Sequence, residues 1–176
     1  MDTELPESLR FILSRRSIRS FAPGEINDAQ VRQLLEAAMA APSAVARDPW
    51  RFVVIRRRPT MEALAQLLSN GNMLKSATLA IVVCGDIEAA HDRQLSYLLQ
   101  DCSAAIENLL LAAHVLGLGA CWLGVHPREE RLRKIKETLG LPETVLPVAC
   151  LALGLPAETK PPRTRYQPAA VHYETW

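Results

Sequence analysis

The sequence has almost no net charge: 20 Lys+Arg against 19 Asp+Glu in 176 residues leave a formal +1. That balance argues against a dedicated binder of nucleic acid or of an anionic membrane, which needs a strongly basic face. A C-x-x-C pair is also missing. Cys84, Cys102, Cys121 and Cys150 are widely spaced in apolar stretches, so they read as packing thiols of a reducing compartment, not as a disulfide framework. His91, His114, His126 and His172 show no H-x-x-x-H or H-E-x-x-H spacing, which speaks against a metal site. Neither G-x-S-x-G nor G-x-x-x-x-G-K-[ST] occurs, removing two large enzyme classes. The most apolar stretch, 104–125, is interrupted by Glu107, Asn108 and His114 and broken by Gly117 and Gly119; it reads as a core helix and not a membrane span. The start, MDTELPESL, has no basic segment followed by an apolar one, so no secretory signal and a cytoplasmic location are expected.

What is present suits one globular domain: 49% hydrophobic and 22% charged residues, in a chain long enough to bury roughly 70% of its extended surface. Helical spacing of apolar residues predicts a helix over 4–14. Asn27 with Gln30 three residues on predicts a capped helix carrying Val31, Leu34, Leu35, Ala38 and Met39, stopped by Pro42. Trp50 to Ile55 reads as a strand bounded by Pro49 and Pro59, followed by a helix from Thr60 to Leu68 and a polar loop over 69–72. The unbroken apolar run Thr78 to Cys84 suits a strand covered on both faces. A stripe from Leu95 to Ala113 predicts the longest helix, ended by Gly117. Then come a strand over 120–125, a helix with Pro127 in first position running to Gly140, and a strand over 145–153. From Leu155 onward periodicity vanishes and four prolines fall between Pro156 and Pro168. We therefore expect one domain over 1–154 and an extended arm over 155–176, whose Tyr166, Tyr173 and Trp176 favour docking on a surface over disorder.

Three clusters can carry chemistry. Arg15-Arg16-Ser17-Ile18-Arg19 places three guanidinium groups and a hydroxyl at a break between helices, able to hold a dianionic phosphate or simply to form a solvated basic turn. Pro42-Ser43-Ala44 ends a helix with small residues, so its backbone can approach a flat ligand; an ordinary helix stop has the same sequence. Gly117-Leu118-Gly119 with Trp122-Leu123-Gly124 superficially matches a dinucleotide fingerprint. However, it follows a helix and has Trp122 at the third glycine, so it is read as a helix end plus a close backbone approach, possible against a ring. Asp101 and Glu107, six apart on the long helix, suit capping, surface or interface roles better than a paired acid and base. Arg56-Arg57-Arg58 reads as a solvated strand end.

Taken in order, the arginine cluster, Ala41-Pro42-Ser43-Ala44 with Pro49-Trp50, Asp101-Cys102-Ser103-Ala104-Ala105, the glycine and Trp122-Leu123-Gly124 blocks, and Gly154-Leu155-Pro156 resemble the FMN-dependent nitroreductase family. The resemblance spans nearly the whole chain. It implies an α+β fold with a central mixed, mostly antiparallel sheet packed by helices, in an obligate homodimer whose C-terminal arms dock on partner subunits. Two FMN molecules would sit at the interface, reduced by NADH or NADPH and reoxidised by nitroaromatic, quinone or similar electron-poor acceptors in a ping-pong cycle. Specialised enone reduction, reductive dehalogenation and non-catalytic FMN binding are the alternatives. By resemblance Arg15, Arg16, Ser17 and Arg19 would contact FMN, as would Pro42, Ser43, Ala44, Trp122, Leu123 and Gly124, with Lys160 and Arg163, or equally Arg165, near the phosphate. Because flavin N5 carries the hydride, no catalytic side chain is required, and Arg16 or Arg19 would tune the ring. Ala46 and Asp48 depart from the asparagine and glutamine frequent in the family; a ring contact is lost, or is supplied by Asn70 or Asn72.

Overall fold

The computed structural model describes residues 5–176, so Glu4 and the expected first turn before Leu5 lie outside the described residues. The middle strand of the sheet is the last in sequence. β5 (Val145–Pro156) pairs antiparallel with β3 (Leu79–Asp86) along one edge and with β4 (Gly119–Gly124) along the other. β2 (Trp50–Ile55) extends the sheet beyond β3, and β1 (Phe21–Ala22) pairs with Leu155 and Pro156 at the end of β5. All four ladders are antiparallel, and an isolated bridge between Ser17 and Ala120 is parallel. This is the α+β, mostly antiparallel architecture the sequence implies.

The apolar run of β3 is continuous because both its faces are covered. Leu79, Ile81 and Val83 join the core beneath α2 (Asp28–Met39) and α4 (Leu95–Val115), whereas Ala80, Val82 and Cys84 join the core beneath α3 (Arg58–Leu67) and α5 (Glu129–Leu139). Each buried Leu, Ile or Val in these layers contributes about 1.5–3 kcal/mol. The predicted capping box forms: the Gln30 N–H donates to Asn27 Oδ1 at 2.9 Å and the Asn27 N–H to Gln30 Oε1 at 3.1 Å. α4 is the longest helix, and its buried stripe from Leu98 to Ala113 spans both α2 and the sheet.

Several local expectations are corrected. Pro59 does not bound a strand but enters the first turn of α3, where its missing N–H costs nothing. The polar loop after it becomes a 3-10 turn over Gly71–Lys75. α5 starts at Glu129, two residues beyond Pro127, and ends as expected at Gly140, whose φ of 63° needs no Cβ. The last strand continues to Pro156, three residues past its expected end, because β1 supplies a partner that the short Phe21–Ala22 sequence did not announce. The three arginines after β2 are exposed as expected, and two of them also clamp neighbouring backbone. Arg56 donates to the Ile26 carbonyl at 2.7 Å and pairs with Asp28 at 2.8 Å, and Arg58 donates to the Leu74 and Ala77 carbonyls, each at 2.9 Å.

Candidate functional site

The arginine cluster forms the connection between α1 (Glu7–Ser14) and β1. It lies directly on β4: the Ile18 N–H donates to the Ala120 carbonyl at 3.0 Å beside the Ser17–Ala120 bridge. Gly119 makes that approach possible. A Cβ there would stand 2.8 Å from Ile18 Cγ2 and 3.3 Å from the Phe21 ring. The close backbone approach expected at this glycine is therefore made by the protein's own arginine loop and not by a ligand ring. Gly117, with φ of 69°, ends the turn after α4.

The opening residues of the C-terminal arm clamp the loop from outside. The Ala157 N–H donates to the Ser20 carbonyl at 2.9 Å. Glu158 Oε1 accepts the Arg19 N–H at 2.5 Å, the Ser20 N–H at 3.2 Å and Lys160 Nζ at 3.0 Å. These donors hold the Glu158 carboxyl below its ordinary value, the Arg19 N–H first and Lys160 next. Lys160 Nζ also donates to the Ser17 carbonyl at 2.9 Å, and Arg16 donates to the Pro161 carbonyl.

Between loop and arm opens a cleft of about 660 Å³ lined by Leu13, Arg15, Arg16, Ser17, Arg19, Arg163, Thr164 and Arg165. Arg15 is held by Glu107 of α4 at 3.3 Å. Among the described residues no acidic side chain is paired with Arg16, Arg19, Arg163 or Arg165, so the cleft has surplus positive charge. Forked guanidinium donors in that excess fit a dianionic phosphate ester, the anionic end of an FMN. Arg163 and Arg165 both reach this cleft. Lys160 lines a smaller neighbouring cavity, with His114, Ser14 and Glu158.

The other predicted contacts stand elsewhere in the chain. Pro42, Ser43 and Ala44 lie on the connection between α2 and β2 and do not line the cleft. The Ser43 hydroxyl donates to Asp48 Oδ1 at 2.5 Å and accepts the Asp48 N–H at 3.0 Å. The Ala44 N–H donates to Asp101 Oδ1 at 2.9 Å. Between these ties Val45, Ala46 and Asp48 take left-handed φ values of 53°, 51° and 50°. On β4, Trp122 is 37% exposed and Gly124 is open, whereas the Leu123 side chain belongs to the core beneath α3 and α5. Asn70 precedes the turn after α3 and Asn72 lies within it, on the opposite sheet face from α4 and the 43–48 loop; within one chain they do not replace a contact missing at Ala46. The sequence reading passed over Glu158, whose role depends on a partner 139 positions away.

Burial pushes the thiols of Cys84, Cys102 and Cys150 up to about 12, and that of Cys121 also upward, so all four are unreactive packing groups. Among the described residues no group of three or more His, Cys, Asp or Glu stands together as a metal site, and no helix is long and apolar enough to cross a membrane.

An α+β domain with an arginine-lined cleft of surplus positive charge has the donors to hold an anionic ligand at its surface. Comparison with known proteins makes this specific. The nitroreductase family model matches residues 12–86 and 62–155. An Archaeoglobus fulgidus protein named "Putative NADH dehydrogenase/NAD(P)H nitroreductase" is 41% identical over 175 residues, covering 98% of this chain and 100% of its own. Among solved structures, an FMN-dependent nitroreductase from Clostridium difficile superposes with a TM-score of 0.86 at 29% identity, covering 96% of this chain and 99% of its own. A Desulfovibrio desulfuricans protein crystallised in complex with FMN superposes with a TM-score of 0.85 at 33% identity, covering 98% and 99%. The chain belongs to the nitroreductase family, and is thereby an oxidoreductase.

Proposed function

We propose that this chain works as a homodimer that holds FMN at the subunit interface, takes hydride from NADH or NADPH, and passes it to nitroaromatic, quinone or similar electron-poor acceptors by a ping-pong cycle. One observation carries the reading: an arginine-lined basic cleft on one part of the chain, and a small-residue loop fit for a flat ring on another. A second copy supplies that loop, so each site combines the cleft of one protomer with Pro42, Ser43 and Ala44 of its partner. The exposed faces of α1 and the residues before it, where Leu5, Leu9 and Ile12 are each close to half exposed, and of the arm, where Tyr173 and Trp176 are 82% and 100% exposed, suit burial in such a pair. Residues 1–154 then form the domain and 155–176 the arm that continues onto the partner. Four reduced, buried thiols suit a cytoplasmic setting.

FMN, when bound, supplies the hydride acceptor and donor at its N5 atom. The protein supplies binding and orientation. Arg15, Arg16, Ser17 and Arg19, with Arg163 or Arg165, hold the phosphate and one ring edge. Arg16 or Arg19 would offset the negative charge that the cofactor gains on reduction. Backbone at Trp122, Leu123 and Gly124 lines the ring from β4, and Lys160 acts by fixing the Ser17 carbonyl. Residues that hold the cofactor in this way would leave room beside it for donor and acceptor in turn, with few polar determinants.

The test begins with colour. Full-length protein purified with excess FMN keeps flavin absorbance after desalting, and loss of all flavin refutes the cofactor assignment. Stopped-flow mixing with NADH and with NADPH bleaches the flavin within seconds. Absence of bleaching with either donor supports a second reading, a flavin-binding protein without turnover, which the engagement of the Ser43 hydroxyl by Asp48 and the apolar Ala46 favour. Sedimentation is expected to find the flavin-loaded protein dimeric at micromolar concentration, and a flavin-loaded monomer would contradict the shared site. Replacing Arg19 by Ala weakens FMN binding by about tenfold or more, the worth of a charge-assisted hydrogen bond.

A further inference from the structure

Asp101 is a buried charged side chain in an unexpected place. It lies within α4, is 4% exposed, and is the sole buried polar or charged residue among the described residues. Its Oδ1 accepts the Ala44 N–H at 2.9 Å. Its Oδ2 has no hydrogen-bond partner among the described residues. Burying a carboxylate is costly, and leaving one of its oxygens unpaired adds to the cost, so a fold retains such a group where something else depends on it.

What depends on it is the backbone beyond Ala44. Val45 and Ala46 are L-residues held at φ of 53° and 51°, and Asp48 at 50°. Each left-handed residue of this kind is disfavoured, and a run persists only when its surroundings fix it. Within the loop the Ser43–Asp48 pair and the Ala46 and Arg47 N–H groups, which donate to the Ser43 and Ala44 carbonyls, do so; outward, Arg51 of β2 donates to the Asp48 carbonyl at 3.3 Å, and the Asp101–Ala44 bond connects the loop to the core helix. The internal pair sets the loop's shape. Asp101 sets where the loop's Ala44 end sits against the core helix, as Arg51 does for its Asp48 end against β2.

We infer that Asp101 is a positioning residue, which through the Ala44 N–H places the Pro42-Ser43-Ala44 loop against the flavin ring. This rests on the proposed function above. Asp101 touches neither cofactor nor substrate; it acts through the backbone of Ala44. An asparagine keeps a side-chain oxygen for that N–H, whereas an alanine removes it.

The experiment compares wild type, Asp101→Asn and Asp101→Ala as full-length protein, measuring FMN affinity by fluorescence titration and the visible circular dichroism of the flavin at saturation. Asp101→Ala is expected to bind FMN at least tenfold more weakly and to show an altered flavin band, because the ring has lost a fixed neighbour. Asp101→Asn is expected to stay within about fivefold of wild type with an unaltered band. General destabilisation alone would lower the melting temperature and leave the saturated flavin band unchanged, and that result overturns the inference, as does an alanine variant that binds FMN as wild type does. An asparagine variant as impaired as the alanine variant overturns it too. A wild-type protein that binds no FMN instead removes the functional reading itself.

Discussion

Glu158→Ala tests whether the arm organises the cofactor cleft. One carboxylate oxygen collects three donors, the Arg19 and Ser20 N–H groups and Lys160 Nζ, at 2.5, 3.2 and 3.0 Å. Hydrogen bonds to a charged group contribute about 1.5–3 kcal/mol each when shielded. Here the side chains of Glu158 and Lys160 keep 29% and 25% exposure, so solvent screens much of that, and about 2 kcal/mol in total is a reasonable sum. Two kcal/mol corresponds to about a 30-fold rise in the population with the arm released. Hydrogen exchange reads this directly at Ala157, whose N–H bonds the Ser20 carbonyl and not the mutated side chain. We expect its exchange to accelerate about 30-fold, with Ile18, bonded separately to Ala120, little changed. FMN affinity falls in parallel, because Arg163 and Arg165 follow the arm. The same contact gives a pH dependence of known sign. The folded carboxyl titrates below its ordinary 4.5, so its contribution is complete above that value and is lost as pH falls through the lower folded value. Ala157 exchange in the variant within threefold of wild type would refute the clamp.

Three further outcomes follow from single contacts. Gly119→Ala drives a Cβ to 2.8 Å from Ile18 and lifts the arginine loop off β4, lowering stability by about 1–3 kcal/mol in chemical denaturation. Ala46→Asn places at φ of 51° a residue that tolerates the left-handed region better, and thermal unfolding should show a gain of about 0.5–1 kcal/mol. His114, half buried beside Ser14 at 2.7 Å, has its pKa lowered by burial and then by Arg15. The unfolded chain therefore binds the proton first as pH falls below 6.5, stability declines between there and the lower folded value, and His114→Gln flattens that slope in denaturation series.

Much of the frame was legible because it rests on local pattern. The capping box at Asn27 and Gln30, the doubly buried run of β3 and the long stripe of α4 are written in residues near one another, and each formed as its periodicity requires. Boundaries drifted where tertiary partners intervened, as when β1 drew β5 on to Pro156. The arginine cluster was visible as a candidate anion site from its composition alone. Its glycine neighbours were visible too, but their reason was not: Gly119 is small to admit Ile18, which no spacing rule connects to it.

The sequence by itself determined the layers, the reduced thiols, the absence of hydrolase and P-loop motifs, and the family to which the chain belongs, since these follow from periodicity and from residue types in order. Only the tertiary structure decided that Glu158 fastens the arm to the arginine loop, that Asp48 engages the Ser43 hydroxyl, and that Asp101 holds Ala44 across 57 positions. The physical reason is range. Hydrophobic period and capping act over one or two helical turns, whereas a carboxylate chooses its donors by distance in space, which chain order does not encode.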